Sequence, residues 1–121
     1  MGPQRTILVL EDEALVGLDM AEQLNGAGYC VAGPFARVDD ALSSISVSPP
    51  DAAVLDINLG PGITSEPVAA ALEQRSIPYV FLSGYSENAP QFGNLSRAMF
   101  LTKPCSPDKL IGKVQSLLDA S

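Results

Sequence analysis

The sequence predicts an α/β domain built on a parallel β-sheet, and three features carry that expectation. Short apolar runs without polar alternation recur at Thr6–Leu10, Tyr29–Gly33, Ala52–Leu55, Pro78–Leu82 and Met99–Leu101. Such runs belong to strands buried on both faces, as in parallel sheets. Stretches with helical apolar spacing lie between them, giving the rhythm of βαβ units with right-handed crossovers. Polar or charged residues follow the runs on one side, which places a possible site at the carboxyl ends of the strands.

Length and composition bound the answer. At 121 residues and 46% hydrophobic content, the chain suits one folded domain with a single core, spanning 1–121. Seven Lys and Arg against fourteen Asp and Glu leave a net charge of −7, which argues against nucleic-acid binding. No apolar run approaches the roughly 20 residues of a membrane span, and Met1–Arg5 leads into a strand without a signal-peptide core, so a cytoplasmic protein is expected. Cys30 and Cys105 fit neither a disulfide framework nor a zinc site. With no histidine, His-based triads, most zinc chemistry and a phosphohistidine-carrier role are excluded.

The elements follow in order. After the first strand, Glu11-Asp12-Glu13 open a helix at its positive end, with Ala14, Gly17, Leu18, Ala21 and Leu24 as its apolar stripe. Gly26 or Gly28 stops it. Pro34 ends the second strand, and Val38, Ala41, Leu42 and Ile45 mark the next helix. Pro49-Pro50 break the chain before the third strand. Ser65 caps a helix with Pro67 in its first turn, running to about Gln74. Ser106-Pro107-Asp108 cap a last helix whose buried stripe is Leu110, Ile111, Val114, Leu117 and Leu118. The segment Gly84–Arg97 should hold a fourth helix of five. It contains Pro90 and Gly93 and lacks an apolar stripe, so a short, irregular or mobile element is expected.

Strand ends converge on one rim. The first strand supplies Glu11 and Asp12, the third Asp56, the fourth Ser83 and the fifth Lys103. Three carboxylates offer hard oxygen ligands and suit Mg²⁺ with retained waters rather than a Ca²⁺ cage. Lys103 adds a positive point charge and Ser83 a hydroxyl donor, both suited to phosphoryl oxygens. The set describes phosphoryl transfer with Asp56 as nucleophile. Taken singly, each signal has a bland counterpart: Glu11–Glu13 as a helix start, Ser83-Gly84 as a turn, Lys103-Pro104 as a loop. Their shared rim favours the chemical alternative.

The segments Ile7–Glu13, Leu55-Asp56-Ile57-Asn58, Phe81-Leu82-Ser83-Gly84-Tyr85 and Thr102-Lys103-Pro104 together resemble the receiver domain of bacterial two-component response regulators, over nearly the whole chain. Phe81–Tyr85, with Asn58 two residues past Asp56, further resembles the stand-alone FAT GUY subgroup. The resemblance implies a flavodoxin-like three-layer (βα)5 sandwich with strand order 2-1-3-4-5.

By position, the resemblance makes Asp56 the phosphoacceptor and a Mg²⁺ ligand. Asp12 becomes a direct metal ligand, Glu11 acts through water, and Asn58 lends its backbone carbonyl. Lys103 would hold the phosphoryl group, with a cis peptide to Pro104. Ser83 would be the switch hydroxyl and Phe100 the switch aromatic, though Phe100 suits a fixed core position equally well. Tyr85 would join the switch or control access to the site. Expected partners are a sensor histidine kinase or phosphotransferase and an output protein, the chain being a monomer or weak homodimer that catalyses at most its own phosphorylation and dephosphorylation. Serving as a phosphate sink is the other output.

Ser83 stands where Thr is usual, and Thr64 where most receivers have Gly. The alternative function is a Mg²⁺-dependent phosphohydrolase with an Asp nucleophile. Such enzymes usually carry a second Asp two residues on, where this chain has Asn58. A flavin-binding module would need a neutral phosphate loop in place of Glu11-Asp12-Glu13, whose charge repels an FMN phosphate.

Overall fold

A computed structural model of the chain describes residues 4–84, 99–103 and 106–120. The strands β1 (Thr6–Leu10), β2 (Cys30–Phe35), β3 (Ala52–Asp56), β4 (Tyr79–Gly84) and β5 (Phe100–Lys103) form one parallel sheet, ordered β2-β1-β3-β4-β5. Four helices are described: α1 (Ala14–Gly26), α2 (Val38–Val47), α3 (Glu66–Gln74) and α4 (Pro107–Ala120). This is the flavodoxin-like arrangement that the resemblance implied.

Successive strand residues point to opposite faces, and both faces are covered. Leu8, Leu10, Leu55, Tyr79 and Phe81 belong to one core with Ala41 and Ile45 of α2 and Val68, Ala69 and Leu72 of α3. Ile7, Val9, Val54, Val80 and Leu82 form the other, with Met20 and Leu24 of α1 and Leu110, Val114 and Leu117 of α4. Double coverage is why the strands read as unbroken apolar runs. All five residues of the central β3 are buried, and each large aliphatic side chain withdrawn from water contributes about 2 kcal/mol.

Several boundaries differ from expectation. β2 does not stop at Pro34 but runs through it to Phe35, with an irregularity in its pairing to β1. An edge strand tolerates proline because its missing N–H can face away from the ladder. β4 extends to Gly84 and β5 to Lys103, because Ser83 pairs with Thr102 and Gly84 with Lys103. Tertiary pairing thus draws into strands residues that local chemistry reads as turns. The first helix begins at Ala14, with Glu13 at its N-cap. Its buried face is Gly17, Met20, Ala21 and Leu24, whereas Leu18 is 56% exposed and Ala14 is exposed. Ser65 occupies the cap position of α3 without a side-chain capping bond; Thr64 Oγ1 instead accepts from the Glu66 N–H at 3.3 Å. At α4 the Ser106 hydroxyl does cap, accepting from the Lys109 N–H at 3.3 Å. The expected fourth helix, the Tyr85 switch and the cis peptide at Pro104 lie outside the described residues.

Candidate functional site

The rim forms where strands stop being strands. Glu11 and Asp12 follow β1, Asp56 is the last residue of β3, and Lys103 is the last of β5. In this strand order β1 and β4 flank β3, so residues distant in sequence reach Asp56 from either side. The opposite wall is a small hairpin-like loop. Asn58 and Thr64 form an antiparallel bridge, the Leu59 N–H donates to the Ile63 carbonyl at 3.0 Å, and the Ser65 N–H donates to the Ile57 carbonyl at 3.0 Å. Gly60-Pro61-Gly62 turn it, Gly62 at a φ of 73° that favours glycine. An open cleft of about 510 Å³ results, lined by Asp12, Asp56, Asn58, Gly62 and Lys103 among others.

Within the cleft, Lys103 Nζ lies 3.0 Å from Glu11 Oε2 and 3.2 Å from Asp56 Oδ1. Glu11 is 1% exposed and its other oxygen accepts from the Glu13 N–H at 3.2 Å. Asp56 is 7% exposed, while Asp12 is exposed. Carboxylate oxygens of Glu11, Asp12 and Asp56 lie within 4.8 Å of one another.

One ammonium cannot balance three carboxylates so close together. Burial, with Glu11 alongside, pushes the Asp56 carboxyl up to about 7 from its usual 3.8, against the opposing pull of Lys103. Burial alone would lower the Lys103 pKa, but Glu11 and Asp56 together hold it above its ordinary value. The surplus negative charge, carried by oxygen donors only, fits a hard divalent cation. Glu11, Asp12 and Asp56 are the described residues that could hold it.

The structure brings together Glu11, Asp12, Asp56, Asn58 and Lys103 as expected of one site. Ser83 is 7% exposed on β4, one residue beyond the partner of Asp56 in the ladder. Phe100 is half-buried, its ring 5.4 Å from that of Phe81 at a tilt of 32°. The ion pair between Lys103 and Glu11 was not anticipated: the sequence places both residues on the rim, but a separation of 92 positions carries no signal of contact.

Comparison with known proteins agrees with this geometry. The profile of the response regulator receiver domain matches residues 7–115. The chain is 28% identical over 116 residues to the transcriptional regulatory protein PdtaR of Mycobacterium tuberculosis, covering 92% of this chain and 55% of that protein. It is 31% identical over 114 residues to an uncharacterized response regulatory protein of Vibrio parahaemolyticus, covering 93% and 47%. The chain therefore spans about half the length of the curated relatives it matches. Among solved structures it is similar to SdrG from Sphingomonas melonis Fr1, with a TM-score of 0.80, 33% identity, and coverage of 98% of this chain and 99% of that one. A response regulator receiver protein from Sinorhizobium medicae gives a TM-score of 0.83 at 27% identity, covering 97% and 96%. Sheet order, acidic rim and profile match converge, and the chain belongs to the family of response regulator receiver domains.

Proposed function

We propose that residues 1–121 act as one receiver domain that accepts a phosphoryl group onto Asp56 from the phosphohistidine of a sensor kinase or phosphotransferase. The observation that carries this is the charge constellation itself: a buried aspartate at the centre of the sheet, crowded by Glu11 and Asp12, with a single ammonium 3.2 Å away. An Asp56 oxygen attacks phosphorus in line, forming the P–O bond as the P–N bond to the partner's imidazole breaks. Lys103 then exchanges its carboxylate partners for phosphoryl oxygens, and Ser83 supplies a hydroxyl to another.

Receiver domains bind Mg²⁺ at an acidic pocket, and here Asp12 and Asp56 would ligate it directly, Asn58 through its backbone carbonyl and Glu11 through water. The cation supplies neutralisation of the phosphoryl oxygens. Lys103 Nζ stands 3.0 Å from Glu11 Oε2, so a cation held by these carboxylates would compete with that ammonium for them. The modified site signals through Ser83, Tyr85 or Phe100 to a protein partner, or the domain serves as a phosphate sink. Turnover is confined to its own aspartyl phosphate. A phosphohydrolase reading finds no support at position 58, where an amide stands in place of a general acid.

The test is beryllofluoride with Mg²⁺, followed by NMR. Shifts should appear around Asp56, Ser83 and Lys103 in the native chain and vanish in Asp56→Asn. The same shifts persisting in the variant would sink the assignment. A phosphotransfer profile against the source organism's histidine kinases, with and without Asp56, then identifies the donor.

A further inference from the structure

Glu11 is the most buried carboxylate of the rim, and its place is set from behind by residues that do not reach the cleft. Between Leu8 and Leu10, β1 advances two residues while β2 advances three, from Ala32 to Phe35. The extra residue lies at Gly33-Pro34. Gly33 has a φ of 104°, and a Cβ there would stand 2.7 Å from the Phe35 nitrogen and 2.8 Å from the Val9 carbonyl oxygen. Only glycine fits this bulge. The bulge shifts Phe35 into line with Leu10, and the Phe35 carbonyl accepts from the Glu11 N–H at 2.8 Å.

The same bulge meets α1. A Cβ at Gly17 would stand 2.9 Å from Pro34 Cβ, 3.2 Å from Pro34 Cγ and 3.5 Å from Glu11 Cβ. Glycine inside a helix is disfavoured relative to alanine, and the space around Gly26 and Gly112 would admit a Cβ freely. At Gly17 it would not, because the Pro34 ring stands too close to the helix there, with the Glu11 Cβ in van der Waals contact beside it. Bulges concentrate beside active sites, where they aim a side chain or a backbone group.

We propose that Gly17, Gly33 and Pro34 form a buttress that positions Glu11 on the acidic rim, so that its carboxylate meets Lys103 and, on the reading of this rim as a Mg²⁺ site, serves the cation. They are positioning residues. None touches the reacting atoms, and their effect runs through the Glu11 backbone and Cβ.

The experiment compares Gly17→Ala with the native chain and with Gly112→Ala, which changes a helical glycine in open space. In metal-free protein, exchange of the Glu11 amide should quicken roughly tenfold in Gly17→Ala while Val54 and Val80 keep their protection. Mg²⁺ affinity, read by NMR titration, should fall severalfold. Gly112→Ala should move neither, and adding Pro34→Gly to Gly17→Ala, which removes the ring, should restore both. A folded Gly17→Ala with native exchange at Glu11 overturns the proposal, as does faster exchange spread evenly over β3 and β4. Should Gly17→Ala fail to fold, Pro34→Gly alone decides: selective loss of Glu11 protection supports the buttress, and unchanged protection overturns it. A native chain that takes no Mg²⁺ would defeat the metal reading while the exchange result still judges the buttress.

Discussion

The two ends of the sheet treat carboxylates in opposite ways. Where the strands begin, Asp51 and Glu73 each have a neutral donor. Asp51 Oδ2 accepts from the Thr6 N–H at 2.7 Å while the Thr6 carbonyl accepts from the Asp51 N–H at 2.8 Å. Tyr79, 1% exposed, donates its hydroxyl to Glu73 Oε2 at 2.5 Å. Burial and the Glu73 carboxylate push that phenol well above its usual range, so it remains a donor at any physiological pH. Where the strands end, Glu11, Asp12 and Asp56 crowd around one ammonium. Hydrogen bonds from neutral groups settle a carboxylate locally and leave nothing for a ligand to do. Like charges around a single counter-ion leave a deficit that a proton, a metal or a phosphoryl-bound cation can fill. One end of the sheet settles its carboxylates, and the other leaves a surplus of negative charge.

The contrast is broken most severely at Asp56. Asp56→Asn should abolish phosphoryl uptake from any kinase that loads the native chain. In metal-free buffer at pH 8 it should also raise stability by about 1–3 kcal/mol, since it removes a charge that burial and Glu11 disfavour in the fold. Thermal melts check the second effect. A lower melting temperature in the variant would mean that Lys103 already offsets the crowding.

Lys103→Ala removes the counter-charge instead. Two buried carboxylates would lose their ammonium, at a cost of about 2 kcal/mol in metal-free protein. Added Mg²⁺ should recover more stability in this variant than in the native chain. Melts with and without Mg²⁺ decide, and equal recovery in both proteins would deny that Lys103 and the cation answer the same charge.

The pH dependence sharpens the same point. An unfolded aspartate releases its proton near 3.8, whereas Asp56 in the fold keeps its proton to about 7. Between those values the native state binds more protons than the unfolded one. Stability contributed by Asp56 therefore falls as pH rises across that window, by up to about 1.4 kcal/mol per unit. The difference in melting temperature between native and Asp56→Asn chains should widen from pH 4 to pH 7 and level off above it. A difference independent of pH would show that Asp56 titrates normally.

The smallest effect belongs to the other end. Tyr79→Phe should cost about 1 kcal/mol by removing the hydroxyl from Glu73, with no change in Mg²⁺ affinity. A shift in that affinity would erase the distinction between the two ends.

Much of this was legible in the residues. Ala52–Leu55 reads as a strand buried on both faces, and β3 is buried throughout. Asp56, Asp12 and Lys103 sit at strand ends, and short-range patterns locate strand ends to within a residue or two. The misplacements share a cause. Ser83, Gly84, Thr102 and Lys103 look like turn residues but are held as strand because β4 and β5 pair through them. Leu18 fits the helical stripe of α1, yet the rotation set by Gly17 and Met20 against the sheet leaves it 56% exposed.

By itself the sequence determined the class of the fold and the membership of the acidic rim, because periodicity and strand-end chemistry are local properties of a chain. It also carried the surplus of carboxylate over ammonium that surrounds Asp56. Only the tertiary structure decided which carboxylate Lys103 meets first, how the Gly33-Pro34 bulge reaches Glu11, and why Gly17 carries no side chain. Those outcomes depend on segments far apart in sequence arriving within van der Waals or ion-pair distance, and no local pattern encodes that distance.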